Sequence, residues 1–285
     1  MEVLRAKTAG FCMGVSLALQ KLDSALDATR REGASARICT LGPIIHNPQV
    51  LAAYEARGVF SASDDTPLGP QDTVIIRAHG ITRQAEARLR ASGAQVVDAT
   101  CPKVKKAQLA IARATEGGAA LLLFGESEHP EVRGLISYAG GAAHVFGSLD
   151  ELAAIRLDAS KAHVLASQTT QDRQTFTSVQ ESLCARLPDL TVLSTICDAT
   201  RQRQEEARQI ASQVDIMVVV GGKQSGNTRR LADVAALSGI ATFHVESVDE
   251  LDDKNFRQKK RAGLTAGAST PKSLIDAAEE WLASL

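Results

Sequence analysis

The sequence predicts an α/β fold of three similar lobes, each built on a mostly parallel sheet. Three observations carry this expectation. Short β-branched runs alternate with amphipathic, alanine-rich stretches along the whole chain, the pattern of strand–helix–strand units. Polar or glycine-rich segments follow the apolar runs, where parallel sheets present ligand-binding loops. Cys12, Cys101 and Cys197 stand about a third of the chain apart, each at a strand-to-helix style junction. That spacing suits three lobes that each give one thiolate to a common centre.

In chain order, strands are expected at 2–6, 36–40, 73–77, 95–98, 119–124, 144–146, 163–167, 191–193, 215–220, 242–245 and 261–265. These are short runs of the residue types that fill a pleated surface. Helices are expected at 83–92, 103–115, 172–186, 199–212 and 228–237. Pro102 opens the second of these, since proline suits a first helical turn. The cysteine junctions bound the lobes at 10–100, 101–195 and 196–285. The N-terminal strand within 1–9 is open to pairing with any lobe, the third included. The thirds do not align residue by residue, so the repeat is one of architecture.

A chain of 285 residues accommodates two or three domains with their own cores. Its net charge is −1, from 32 basic and 33 acidic residues, which argues against a broad basic surface for nucleic acid. Glu2, Arg5 and Lys7 are inconsistent with a secretory leader. The longest apolar runs, 119–124 and Ile216–Val220, are far shorter than a membrane span. Five cysteines without a CxxC pair fit a reducing cytoplasm.

The three cysteines differ from the other two. Cys101, in Asp98-Ala99-Thr100-Cys101-Pro102, faces the N–H groups and positive dipole end of the helix that Pro102 begins, both of which favour thiolate. Cys197 precedes Asp198-Ala199-Thr200 and another helix. Cys12 lies between Gly10 and Gly14, which let backbone approach a bulky inorganic group. Three soft thiolates suit zinc or an iron–sulfur cluster. A closed zinc site would need a fourth ligand such as histidine. Cys39, at the end of a strand, and Cys184, on a helix face with Leu183 and Leu187, read as core residues.

His46, His79 and His129 sit in turn contexts beside hydroxyl or amide loops, suited to anion binding, proton transfer or metal ligation. His144, His163 and His244 lie in or beside strands and read as structural or surface groups. Glu131, two residues after His129 at a helix start, is either a first-turn charge or a proton donor. The loop Gly221-Gly222-Lys223-Gln224-Ser225-Gly226-Asn227 follows an apolar strand and opens a helix, a plausible phosphate cradle. It lacks the Gly-Lys-Ser/Thr ending of a Walker loop and is not a dinucleotide fingerprint. Ser269, at a further strand-to-helix junction, can cap or bind phosphate.

Together these segments resemble the LytB-type 4-hydroxy-3-methylbut-2-enyl diphosphate reductase family, the iron–sulfur enzymes of isoprene biosynthesis by the methylerythritol phosphate pathway. The matching segments are Gly10-Phe11-Cys12-Met13-Gly14-Val15, Gly42-Pro43-Ile44-Ile45-His46-Asn47, Ala78-His79-Gly80, Asp98-Ala99-Thr100-Cys101-Pro102, His129-Pro130-Glu131-Val132-Arg133-Gly134, Gln168-Thr169-Thr170, Thr195-Ile196-Cys197, Ser225-Gly226-Asn227 and Thr265-Ala266-Gly267-Ala268-Ser269. They occur in family order over nearly the whole chain.

The resemblance implies an oxidoreductase with three α/β lobes arranged pseudo-threefold around a central [4Fe-4S] cluster. Cys12, Cys101 and Cys197 would hold that cluster and leave one iron open. It further implies diphosphate binding by His46, His79, Ser225, Gly226, Asn227 and Ser269, with Thr170 a minor contact. Glu131 would supply protons, with His129 and Thr169 ordering the substrate hydroxyl and the proton path. The implied reaction is two-electron reductive dehydroxylation to isopentenyl and dimethylallyl diphosphate.

No flavin, nicotinamide or second-cluster motif is visible, so a ferredoxin or flavodoxin is the expected electron donor. The expected state is a cytoplasmic monomer or weak dimer, without nucleic-acid or membrane partners. The chain departs from the family pattern at Ser16-Leu17-Ala18, where a basic residue is common, and at Gly226, where serine is often seen. A cluster-bearing sensor would not need Glu131 and the diphosphate donors. A cluster-dependent hydratase or dehydratase shares the ligands, and iron content separates both from a zinc protein.

Overall fold

The computed structural model describes residues 1–32, 37–63 and 65–285. In chain order the elements are β1 (Glu2–Arg5), α1 (Met13–Glu32), β2 (Arg37–Leu41), α2 (Pro48–Glu55), β3 (Val59–Ala62), β4 (Asp72–Ile76), α3 (Arg83–Ala91), β5 (Gln95–Asp98), α4 (Pro102–Ala114), β6 (Ala120–Phe124), α5 (Pro130–Ile136), β7 (Ala143–Phe146), α6 (Leu149–Ala154), β8 (His163–Ser167), α7 (Arg173–Cys184), β9 (Leu190–Val192), α8 (Asp198–Ala211), β10 (Ile216–Val220), α9 (Gly226–Ala236), β11 (Ala241–Val245), β12 (Arg261–Ala266) and α10 (Lys272–Ser284).

Three four-stranded sheets result, ordered β3-β2-β4-β5, β7-β6-β8-β9 and β11-β10-β12-β1. Every pairing among the described residues is parallel. The three orders are the same: in each sheet the first strand of the lobe lies between the second and the third, and the fourth lies outside the third. The last sheet takes its fourth strand from the start of the chain, with Glu2 opposite Arg261. That settles the pairing of the N-terminal strand.

The strands are apolar on both faces because helices cover both faces. Ile216, Val218 and Val220 pack with Ile275, Ala278 and Leu282 of α10. Met217 and Val219, pointing the other way, pack with Ala207 and Ile210 of α8 and Leu231 of α9. The sheet through β6 repeats the arrangement, with Leu121 and Leu123 against α4 and α5 and Leu122 and Phe124 against α6 and α7. Packing gathers the chain into two compact units. One comprises residues 1–16, 45–53 and 198–285 and contains the sheet of β10; the other comprises residues 17–44 and 54–197 and contains the other two sheets.

Some expectations need amendment. Ala36 of the expected strand 36–40 lies outside the described residues. Strand β3 was not expected; it is a four-residue edge, Val-Phe-Ser-Ala, buried at Val59 and Ala62 and exposed at Ser61, so it follows no two-residue period. Cys39 is fully buried, and desolvation pushes its thiol up to about 11. Cys184 is not a core residue but exposed. Helix α7 buries Phe176, Val179 and Leu183, and Cys184 stands about 100° round the helix from Leu183. Among the described residues, no helix is long and apolar enough to cross a membrane.

Candidate functional site

The three sequence-predicted cysteines share one construction. Helices α1, α4 and α8 each begin one residue after a cysteine. Each cysteine follows the outer strand of its sheet, and its main-chain N–H donates to a carbonyl just beyond the neighbouring strand. Cys12 N donates to Ala268 O past β12 (3.2 Å), Cys101 N to Ala78 O past β4 (2.9 Å), and Cys197 N to Thr169 O past β8 (2.9 Å). All three side chains are half-buried, and none of the five cysteines, all described, is in a disulfide. Cys101 holds the N-cap position of α4 without capping through its sulfur. A half-buried thiol fixed at a helix start is a donor whose chemistry fits a soft, thiolate-ligated iron centre.

The loop before Cys12 is gripped by two residues that sequence reasoning missed. Glu206 accepts from Lys7 N (2.8 Å), Thr8 N (2.9 Å) and Thr8 Oγ1 (2.5 Å). Arg203, buried, donates to Thr8 O (2.6 Å) and Gly10 O (2.7 Å). Burial opposes charge at Glu206, but the bonds from Thr8 and Lys7 outweigh it and hold the carboxyl below its usual range. A sequence signal exists for Arg203: it occupies the buried stripe Thr200, Arg203, Gln204, Ala207, Ile210, Ala211, where an arginine must have a partner.

In the unit containing β10, the phosphate-type loop leaves a fully buried strand and ends at Ser225, the N-cap of α9, which accepts from Thr228 N (3.3 Å). Gly226 begins that helix and is buried. Asn227 is half-buried, and its Nδ2 has no hydrogen-bond acceptor. Ser269 Oγ donates to the carbonyl of His46 (3.1 Å). A Cβ on Gly222 would stand 2.5 Å from that carbonyl oxygen, so only glycine allows this approach. His244, expected to be structural, fixes the loop start by donating from Nε2 to Gly221 O (2.9 Å). Ser225, Gly226, Asn227, Ser269, His46 and Cys12 therefore belong to one compact unit.

The other unit holds a buried carboxylate site. Glu131, 2% exposed, lies in the first turn of α5. Its Oε1 accepts from Thr169 N (2.6 Å) and its Oε2 from Thr169 Oγ1 (3.0 Å). His129 caps the same helix, with Nδ1 accepting from Glu131 N (3.1 Å). An accepting Nδ1 carries no proton, so the neutral ring bears its proton on Nε2. The His79 and His129 rings meet edge to face, with centroids 5.4 Å apart. His79 sits in a turn closed by Gly80 N donating to Arg77 O (2.9 Å), with Gly80 at φ +72°. Thr170 Oγ1 accepts from Gln168 Nε2 (3.2 Å), inside its own loop. Because Cys197 N bonds Thr169 O, Glu131, Thr169 and Cys197 form one connected chain.

The LytB protein family matches residues 3–283. The chain is 74% identical over 288 residues to the 4-hydroxy-3-methylbut-2-enyl diphosphate reductase of Desulfovibrio desulfuricans, with 100% of both chains covered. The reductase of the same name from Geobacter sulfurreducens is 46% identical, over 97% of this chain and 95% of that one. A solved (E)-4-hydroxy-3-methyl-but-2-enyl diphosphate reductase, described as the terminal enzyme of the non-mevalonate pathway, is 36% identical with a TM-score of 0.70 and 100% of both chains covered. The Plasmodium falciparum E-1-hydroxy-2-methyl-but-2-enyl-4-diphosphate reductase shares the fold, with 24% identity and a TM-score of 0.91 over 98% of this chain and 87% of that one.

Proposed function

The chain belongs to the LytB family of 4-hydroxy-3-methylbut-2-enyl diphosphate reductases, iron–sulfur oxidoreductases of the non-mevalonate isoprenoid route, and from that premise we propose how its residues divide the reaction. The reaction is the reductive dehydroxylation of an allylic alcohol diphosphate. One C–O bond breaks, two electrons and two protons are taken up, water leaves, and isopentenyl or dimethylallyl diphosphate forms. Cys12, Cys101 and Cys197 would hold one [4Fe-4S] cluster and leave one iron open to substrate. When bound, the cluster supplies the electrons and a Lewis acid that makes hydroxide a better leaving group.

Ser225, Asn227 and Ser269 offer short donors to the diphosphate, Gly226 offers backbone at a helix N-terminus, and His46 and His79 add donors that can carry positive charge. Thr170 is a minor contact. Glu131 is the proton source. Its Oε2 accepts from the Thr169 hydroxyl; once that carboxyl is protonated, the same contact runs the other way, and Thr169 passes a proton outward as it takes one from Glu131. His129 holds the helix start that carries Glu131 and presents a protonated Nε2 to the substrate hydroxyl. The observation that carries this reading is the buried Glu131–Thr169 pair bonded through main chain to Cys197.

A small-molecule diphosphate is thus the substrate, and electrons come from a ferredoxin or flavodoxin in a reducing cytoplasm. The protein acts as a monomer or weak dimer. The test is oxidation of reduced viologen by anaerobically purified, cluster-reconstituted protein on addition of 4-hydroxy-3-methylbut-2-enyl diphosphate. Substrate-dependent oxidation is expected. Full iron loading without turnover would overturn the assignment.

A further inference from the structure

Helix α4 leaves Cys101 and turns one face to solvent. Lys106, Leu109 and Arg113 recur along it at three- and four-residue spacing, all exposed. Leu109 keeps 46% of its surface. With Lys21 and Lys105 they line a cleft of about 530 Å³, and Thr100 and Pro102, the neighbours of Cys101, line its near end. The whole cleft lies within one compact unit.

Its charge is one-sided. Four cations, Lys21, Lys105, Lys106 and Arg113, surround a single lining carboxylate, Asp98. That carboxylate is already engaged. Its Oδ1 accepts from Thr100 N (2.9 Å), and Lys105 Nζ stands 3.7 Å from Oδ2. Lys105 also lies 3.9 Å from Glu86, while Lys21 Nζ donates to the Asp98 carbonyl (2.5 Å). Among the described residues, Lys106 and Arg113 have no carboxylate partner. A net charge of −1 for the chain does not account for such a patch. An exposed leucine ringed by cations matches the apolar centre and polar rim of a protein-docking surface; a polyanion site has no use for the leucine.

We propose that this cleft docks an acidic, low-potential ferredoxin that delivers electrons by way of Cys101; the proposal rests on the reductase reading above. Electron tunnelling falls steeply with distance, and the cleft reaches the residues on either side of a cluster ligand. Each docking event oxidises one reduced ferredoxin by one electron. Two events supply the pair that, with two protons, breaks the C–O bond and releases water.

The test is the double variant K106E/R113E beside the unaltered protein, both cluster-reconstituted. A plant-type [2Fe-2S] ferredoxin of strongly negative charge serves as probe, and binding is read by biolayer interferometry at low salt. Turnover is driven in turn by that ferredoxin and by reduced viologen. The variant is expected to bind ferredoxin at least about tenfold more weakly, to lose ferredoxin-driven kcat/KM in proportion, and to keep its viologen-driven rate. Unchanged ferredoxin binding would overturn the proposal. So would an equal loss of viologen-driven turnover, or lost binding of a short RNA duplex with ferredoxin binding intact. Unaltered protein that binds ferredoxin at this face, yet is inactive with viologen and substrate, would support the surface and count against the reductase reading.

Discussion

A loop in one compact unit and a carboxylate site in the other handle their polar groups in opposite ways. The unit containing β10 keeps a buried donor, Asn227 Nδ2, without an acceptor. A donor in that state costs about 1–3 kcal/mol, a cost that a ligand with oxygens to spare removes. Around the buried carboxylate of the unit containing α5 the bonds are already made: both oxygens of Glu131 are bonded to Thr169, and His129 holds the helix start. On the proposed reading the loop receives charge that arrives from outside, and the carboxylate site handles charge that moves within. The difference should therefore separate kinetically, with binding defects from one and turnover defects from the other.

Replacing Glu131 is the strongest way to break the comparison. Glu131→Gln keeps the shape and the amide oxygen but removes the transferable proton, so kcat should fall by about 10²–10⁴, with KM within a few-fold and iron content unchanged. A near-normal kcat would take Glu131 out of the proton path. Asn227→Ala probes the other unit. Loss of one charge-assisted bond, about 1.5–3 kcal/mol, should raise KM by about tenfold to a hundredfold with kcat nearly intact. Thermal stability should hold or rise, since an unpartnered donor is removed. A lower Tm with unchanged KM would make Asn227 structural.

The smallest effect concerns the grip on the Cys12 loop. The Glu206 carboxyl is depressed in the folded protein, so its contribution is present above the ordinary carboxyl range and is lost as pH falls through the folded value. Glu206→Gln should melt earlier than the unaltered protein at neutral pH, with the gap closing toward strong acid. A gap independent of pH would assign the loss to packing.

The cysteines, Glu131 and the Ser225 loop were legible because their chemistry is local: a thiol before a proline-led helix, a carboxylate in a first turn, a glycine loop after an apolar strand. Arg203 and Glu206 were not, because their partners at Thr8 lie 195 and 198 residues away in sequence. The threefold repeat showed only as cysteine spacing. A parallel sheet constrains burial and strand order, and many apolar sequences meet that demand, so thirds of different sequence can share one strand order. Cys184 misled because it stands beside Leu183 in the chain, whereas helical geometry turns it to solvent.

Two of the three sheets are drawn from continuous stretches of chain, and the third closes between residues 259 apart in sequence, where Arg261 pairs with Glu2. On a ribosome the sheets of β2–β5 and β6–β9 can assemble as they emerge. Strand β1 must wait for β12, whose Arg261 is made 259 residues after Glu2. Cys12 waits with it, since its amide partner Ala268 lies beyond β12. The construction therefore delays the fixing of Cys12 until β12 has followed the strands of both other sheets, so that a nascent chain can have the amides of Cys101 and Cys197 bonded before that of Cys12.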